Sequence, residues 1–404
     1  MYYRQPRYFG DFHCIGNACP DNCCYGWRID WYTDEVEKLK IAKDKMSPDL
    51  RELVDKSFEL NVELDNQYQI LFDEKGRCSF LTEDGLCRIQ RELGVEYMSE
   101  TCMVYPRRYV SAGNTIYSFC NMSCREVITK LINDEKAMDM VNIPVKKEKT
   151  LRRNISFFSS EDLALHPELK FNEELIEFFF NILADKKHDV ETNIILGALA
   201  AQALTKLVDN GETDRIPEAI KSLRAQMHNP AQLKMIEDIK PNYRLRFGVI
   251  EHLIKNIIGF SFIRTLSDET GTPNIDYYDA AYAKLNEIFK DRPFYLRNIA
   301  LNLMLELDVP FKFKDMTIYE NYSLFVVSYA CIKLNLISIA LADEELFIKM
   351  QKQTFHYKGD ERFAGLTAIF CRGICQNNSK GKLLLAYLKE FKITSPAYLA
   401  LLVK

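Results

Sequence analysis

The segment Cys14-Ile15-Gly16-Asn17-Ala18-Cys19-Pro20-Asp21-Asn22-Cys23-Cys24-Tyr25-Gly26-Trp27 sets four thiols within eleven residues, with turn-formers between them. A loop of this kind folds back so that several sulfurs meet at one centre. Soft, charged thiolate sulfur suits zinc and iron, and four thiolates fill a tetrahedral site or cap a 4Fe–4S cube. The adjacent pair Cys23-Cys24 is awkward for a single ion, because neighbouring side chains are expected to diverge. A multi-iron cluster, or two centres, tolerates such a pair better. The spacing differs from the repeated Cys-x2-Cys knuckle of zinc fingers and ribbons.

Outward from this loop the cysteines continue as Cys78, Cys87, Cys102, Cys120 and Cys124, so nine of the twelve fall in the first 124 residues of a 404-residue chain. The N-terminal residues lack an apolar run, and Pro6 with Arg4 and Arg7 interrupts any signal-peptide core, so a reducing, cytoplasmic location is expected. There, clustered thiols read as metal ligands or redox groups rather than a disulfide framework. Burial as a small hydrophobe explains one or two cysteines but not nine. For the isolated pair Cys371-x3-Cys375, helix packing is the expectation.

The first 125 residues or so are irregular and rich in turn signals. Tyr32 to Ser57 is expected to be an exposed helix capped by Thr33. Tyr68–Asp73 and Arg77–Leu81 should form a small hairpin, Asp84-Gly85 a second turn, and Cys87–Leu93 a short helix. Beyond residue 126 apolar residues recur at three- and four-residue intervals. Helices are predicted around 175–183, 194–208, 249–262, 277–289, 298–307, 322–341 and 381–391. The expected fold class is mainly α: an irregular, cysteine-rich metal-binding module with small hairpins over residues 1–128, packed on a large helical body over 129–404.

Bulk properties narrow the function. The chain is 47% hydrophobic and 27% charged, with a net charge of -4 and a pI near 6.0, which speaks against a dedicated nucleic-acid binder. No apolar run reaches the length of a membrane span. None of the sixteen glycines forms a Gly-x-Gly, so the glycine-rich cofactor turn of a Rossmann fold is not expected. Neither a P-loop nor a Gly-x-Ser-x-Gly elbow is present. The six histidines are scattered, and no histidine metal site is expected.

The run Cys14…Cys19…Cys23-Cys24-x2-Trp27, followed by Cys78-x-Phe-Leu, Gly85-Leu-Cys87-x-Ile-Gln, Thr101-Cys102-x2-Tyr105-Pro106-Arg107 and Ser123-Cys124, resembles the cysteine-cluster module described as zinc- or iron-chelating. In this order, with a long helical tail, it resembles the bacterial flagellin lysine-N-methylase family. Asn298-x3-Asn302 and Val309-Pro310-Phe311 sit where that family carries an Asn-rich helix ending in a Pro-Phe turn. The resemblance implies methyl transfer from S-adenosylmethionine to lysine side chains of flagellin. It implies a 4Fe–4S cluster, or alternatively zinc, on Cys14, Cys19, Cys23, Cys24, Cys78, Cys87, Cys102 and Cys124.

Such chemistry needs a group that takes the proton of a lysine ammonium, and aromatic or oxygen surfaces for a sulfonium. Tyr25, Trp27, Trp31, Tyr105 and Asp30 lie within or beside the motifs, although core packing is the expected role of the aromatics. Arg107 and Arg108 suit a carboxylate or a structural ion pair. Catalytic and donor-binding residues stay unassigned. Radical enzymes use Cys-x3-Cys-x2-Cys, of which Cys19-x3-Cys23-Cys24 is only a near miss, so polar displacement is expected. A non-enzymatic metal-binding adaptor and a redox sensor remain the alternatives.

Overall fold

The computed structural model describes residues 2–26, 29–61, 67–145, 155–156, 158–253, 266, 272–341, 359–375 and 377–404. Strand β1 (Tyr2–Pro6) and the single turn α1 (Arg7–Gly10) open the chain. They are followed by β2 (Asp30–Tyr32), α2 (Thr33–Ile41), α3 (Pro48–Lys56), β3 (Phe58–Leu60), β4 (Gln67–Ile70), α4 (Arg88–Leu93) and α5 (Glu100–Val104). Then come β5 (Arg107–Ala112), β6 (Thr115–Cys120), α6 (Arg125–Asn133), β7 (Met140–Pro144) and β8 (Ile155–Ser156). Everything described after that is helical: α7 (Ser160–Leu165), α8 (Asn172–Ala184), α9 (Val190–Asp209), α10 (Ile216–Gln226), α11 (Pro230–Glu237), α12 (Tyr243–Leu253), α13 (Ile275–Ile288), α14 (Tyr295–Glu306), α15 (Ile318–Ser338), α16 (Glu361–Ile374), α17 (Asn378–Glu390) and α18 (Pro396–Val403). Among the described residues the chain is mainly helical, with two small sheets.

It divides into two compact units. One comprises residues 12–108 with 146–155; the other comprises 1–11, 109–145 and 156–404. Against the single cut expected near residue 128, this division is discontinuous. The physical reason is a sheet: β1 pairs parallel with β6 and antiparallel with β7, which draws the first residues and the 109–145 segment into the helical unit.

In the cysteine-rich unit, β2, β4 and β3 form an antiparallel sheet in that order. Its core gathers Ile29, Trp31, Val36, Leu39, Leu50, Val54, Ile70, Phe80 and Ile89. The stretch expected to be one exposed helix is two, α2 and α3, and both bury an apolar face: Val36 and Leu39 on one, Leu50 and Val54 on the other. Tyr32, rather than Thr33, is the N-cap of α2. Its N–H donates to the Glu35 carboxylate at 2.7 Å, and the other oxygen of Glu35 accepts the Glu100 N–H at 2.7 Å. One side chain thus supplies acceptors to the starts of both α2 and α5.

The helical unit is organised on α15, in which every residue except Glu320 is buried. A helix apolar on all sides belongs in the middle of an assembly, and α15 packs against α9, α13, α14, α16, α17 and α18. The five-stranded sheet runs β7-β1-β6-β5-β8, and all six residues of β6 are buried. Predicted helices at 175–183, 194–208, 277–289, 298–307, 322–341 and 381–391 correspond to α8, α9, α13, α14, α15 and α17. The prediction for 249–262 is met by α12 as far as Leu253 and otherwise lies outside the described residues.

Candidate metal centre

The two loops that carry the cysteines of the smaller unit are stitched together by backbone. The Asn22 side chain accepts the Cys24 N–H at 2.9 Å and donates to the Gly85 carbonyl at 2.9 Å. Gly26 N–H donates to Gly76 O, and Cys78 N–H to Cys24 O, both at 2.9 Å. The predicted turns form at both places. Asp73 N–H donates to Arg77 O and Gly85 N–H to Thr82 O, with bridges at Phe72–Cys78 and Leu81–Cys87. Gly76 and Gly85 take φ of +73° and +79°, which a side chain would strain.

This scaffold brings Cys23, Cys24, Cys78, Cys87 and Cys102 together. Cys78 belongs to the buried core, and Cys24, Cys87 and Cys102 pack against it. The Cys24 thiol is pushed far up first by its hydrogen bond with Cys23, then by burial and by the charges of Cys23, Cys78 and Cys102. Burial and the neighbouring Cys87 and Cys23 push Cys78 up to about 12. Cys102 is raised by burial, with Cys87, Cys78 and Cys23 adding to it, and Cys87 is raised by burial and Cys23. Thiols that would repel one another as thiolates are the donor set a cation stabilises, since a bound metal supplies the missing positive charge. The expected divergence of Cys23 and Cys24 is corrected here: in the turn they occupy, the two side chains interact.

Cys14 is exposed, its sulfur accepting the Gly16 N–H at 3.4 Å. The Cys19 thiol donates to Asp21 O at 3.2 Å. Cys124 belongs to the helical unit as the N-cap of α6. Among the aromatic candidates, Trp27 lies outside the described residues, while Trp31 is buried and meets Phe58 edge-on at 5.1 Å. Arg107 donates to Phe12 O at 2.9 Å and lies over the Phe12 ring, an anchoring role within its own unit.

In the helical unit a polar stripe runs down the buried face of α14. Asn298 donates to the carbonyls of Leu131 and Asp134, both at 2.9 Å. Asn302 donates to Cys120 O at 3.1 Å, and Glu306 accepts the Met122 N–H at 2.8 Å. Beside Glu306 lie Cys371 and Cys375, the three exposed by 0%, 0% and 2%. Nothing local in Cys371-x3-Cys375, for which helix packing is the sequence expectation, signals a carboxylate 65 positions earlier. Two of the histidines scattered along the sequence meet in space: His188 Nε2 and His228 Nδ1 lie 3.3 Å apart beside Asp185, along a cavity of about 260 Å³ lined also by Phe178, Arg224 and Met227.

Against known proteins, the family model of the FliB lysine N-methylase C-terminal domain matches residues 177–402. The chain is similar to the lysine-N-methylase of Salmonella choleraesuis (strain SC-B67), 24% identical over 280 residues, which cover 68% of this chain and 64% of that protein. The lysine-N-methylase of Salmonella typhimurium (strain LT2) matches with the same identity and coverage. The flagellar biosynthetic protein FliU of Salmonella muenchen is 33% identical over 136 residues, 33% of this chain and 79% of that protein. The chain thus spans slightly less than two thirds of the length of the lysine-N-methylases. No solved structure matches it.

Proposed function

Because this chain belongs to the FliB lysine N-methylase family, we propose that it is a protein-lysine N-methyltransferase acting on flagellin in the cytoplasm, with S-adenosylmethionine as methyl donor. The observation that carries the reading is the match over residues 177–402, more than half the chain. The flagellar context comes from the name of the FliU relative.

In the proposed reaction a base removes a proton from the lysine ammonium. The freed nitrogen lone pair attacks the methyl carbon of the sulfonium. A C–N bond forms as the S–C bond breaks, and that electron pair stays on sulfur in S-adenosylhomocysteine. The displacement is polar and requires no electron donor.

The donor set of the smaller unit suits a thiolate-bound metal. In this reading Cys23, Cys24, Cys78, Cys87 and Cys102, with Cys14 and Cys19 of the same loop, would hold a 4Fe–4S cluster or zinc. When bound, the group would staple loops that have little regular structure of their own. The chain's own part is to hold the sulfurs near one another through Asn22, Gly76 and Gly85.

Anaerobically purified protein, incubated with flagellin and methyl-labelled S-adenosylmethionine, is expected to transfer label to flagellin lysines, located by peptide mass spectrometry. Absence of label from metal-replete protein would overturn the enzymatic reading. Metal analysis and the visible spectrum decide the centre: an iron–sulfur protein absorbs in the visible and bleaches in air, whereas a zinc protein is colourless.

A further inference from the structure

Glu306 is the last residue of α14, and Cys371 and Cys375 occupy the last turn and the C-cap of α16. The carboxylate oxygen and the two sulfurs all lie within 4.8 Å of one another. Four-residue spacing puts the two thiols on one side of α16. The segment from Cys120 to Cys124 borders the same place: Met122 N–H donates to Glu306, and Ser123 O accepts from Arg372 at 3.0 Å.

From this geometry we infer that the helical unit carries a second metal centre, in which Glu306, Cys371 and Cys375 bind a zinc-class divalent cation. Three arguments support the site. First, its donors suit the ion: zinc takes thiolate and carboxylate together, and three protein ligands with an open fourth position is an established arrangement. A tetrahedron with zinc–sulfur bonds of about 2.3 Å has edges of about 3.8 Å, so three atoms inside 4.8 Å need only a small adjustment to close on an ion.

Second, the backbone favours a cation. The C-terminal ends of α14 and α16 both lie here, and the unsatisfied carbonyls of helix C-termini carry partial negative charge. Lys312, donating to Cys375 O at 3.0 Å, already uses that preference. Third, a cation offsets charge: a carboxylate and two thiolates, all buried, carry three negative charges, of which a divalent ion neutralises two. Burying these groups as anions without a cation is costly.

The inference is independent of the methylase reading and of the thiols of the smaller unit. The test uses the wild-type full chain, alkylated with iodoacetamide before and after chelation, with each cysteine quantified by peptide mass spectrometry. Chelation is expected to raise labelling of Cys371 and Cys375 at least severalfold, and added zinc to restore protection. In Glu306→Gln, which keeps the shape of the side chain, the same zinc concentration should restore less protection. Labelling of Cys371 and Cys375 that is indifferent to chelator and zinc would overturn the centre, whatever happens at Cys78 and Cys102. So would chelator-sensitive labelling at those two thiols that Glu306→Gln leaves unchanged, because the carboxylate would then be no ligand.

Discussion

The hydroxyl of Tyr8 donates to Oδ1 of Asn302 at 2.6 Å, across 294 residues of sequence. The ring closes through Cys120, whose N–H donates to the Tyr8 oxygen at 2.9 Å and whose carbonyl accepts from Asn302 at 3.1 Å. Tyr8 and Asn302 are buried, and burial raises the tyrosine's pKa far above its usual value, with Cys120 adding to it. The hydroxyl therefore stays protonated and available as a donor. Three elements distant in sequence, α1, β6 and α14, are tied by groups that would be costly to bury unpaired.

Tyr8→Phe keeps the ring but removes both the donor to Asn302 and the acceptor of the Cys120 N–H. The expected loss is about 1–3 kcal/mol in urea unfolding, the cost of stranding buried polar groups. A change below about 0.5 kcal/mol would mean that the ring of hydrogen bonds does not hold these elements.

Gly197 marks the close approach of α9 to α15. A Cβ placed there would lie 2.0 Å from the Tyr322 hydroxyl, which donates to Ile194 O at 3.2 Å. In an exposed helix Gly→Ala is worth about 1 kcal/mol of stability. Here overpacking wins, and Gly197→Ala should lower stability by about 1–3 kcal/mol. A rise in melting temperature would show that Tyr322 moves aside without cost.

Glu191 and Lys333 form a buried ion pair at 2.8 Å; Glu191 also accepts from Tyr329 at 2.6 Å, and Lys333 donates to Val403 O at 3.0 Å. Burial alone would raise the Glu191 pKa, but Lys333 and the hydrogen bonds outweigh it and hold it below 4.5. Burial would lower that of Lys333, yet Glu191 and nearby tyrosines hold it above 10.5. The carboxylate's contribution to stability is therefore complete above 4.5 and lost as pH falls through the depressed folded value. The lysine's is complete below 10.5 and lost as pH rises through the raised one. Lys333→Met leaves a buried carboxylate alone and should cost about 3–5 kcal/mol near neutral pH. Relative to wild type, the variant should recover stability on acidification, as Glu191 takes up a proton. Parallel pH profiles would show that the pair is not coupled.

Replacing Cys24, Cys78 or Cys102 by Ser should remove bound metal and reduce stability together, because the proposed ion and the fold of the smaller unit are linked. Cys331→Ala is the control, since Cys331 is buried in α15. Full metal occupancy in all three Ser variants, measured by elemental analysis, would overturn the ligand set.

The helices of the larger unit were legible because an apolar stripe of period 3.6 is a local pattern. The strands were not. In β6 all six positions are buried, so no alternation marks it, and its partner β1 lies more than a hundred residues earlier. The available signal was Gly113-Asn114, a hairpin-type pair between Arg107–Ala112 and Thr115–Cys120. The cysteine motifs were legible as a clustering of thiols, but not which of them meet: the convergence of Cys23, Cys24, Cys78, Cys87 and Cys102 depends on backbone pairing between separate loops.

By itself, then, the sequence determined the helical body, the tight turns at Gly76 and Gly85 and the thiol-rich chemistry of the first hundred residues. Each of these depends on residue type and near-neighbour spacing. Only the tertiary structure decided that residues 1–11 join the helical unit, that five thiols of the other unit converge, and that Glu306 meets Cys371 and Cys375. Those meetings depend on long-range packing of buried faces, where a polar group's partner is set by which helices and strands pair and not by its distance along the chain.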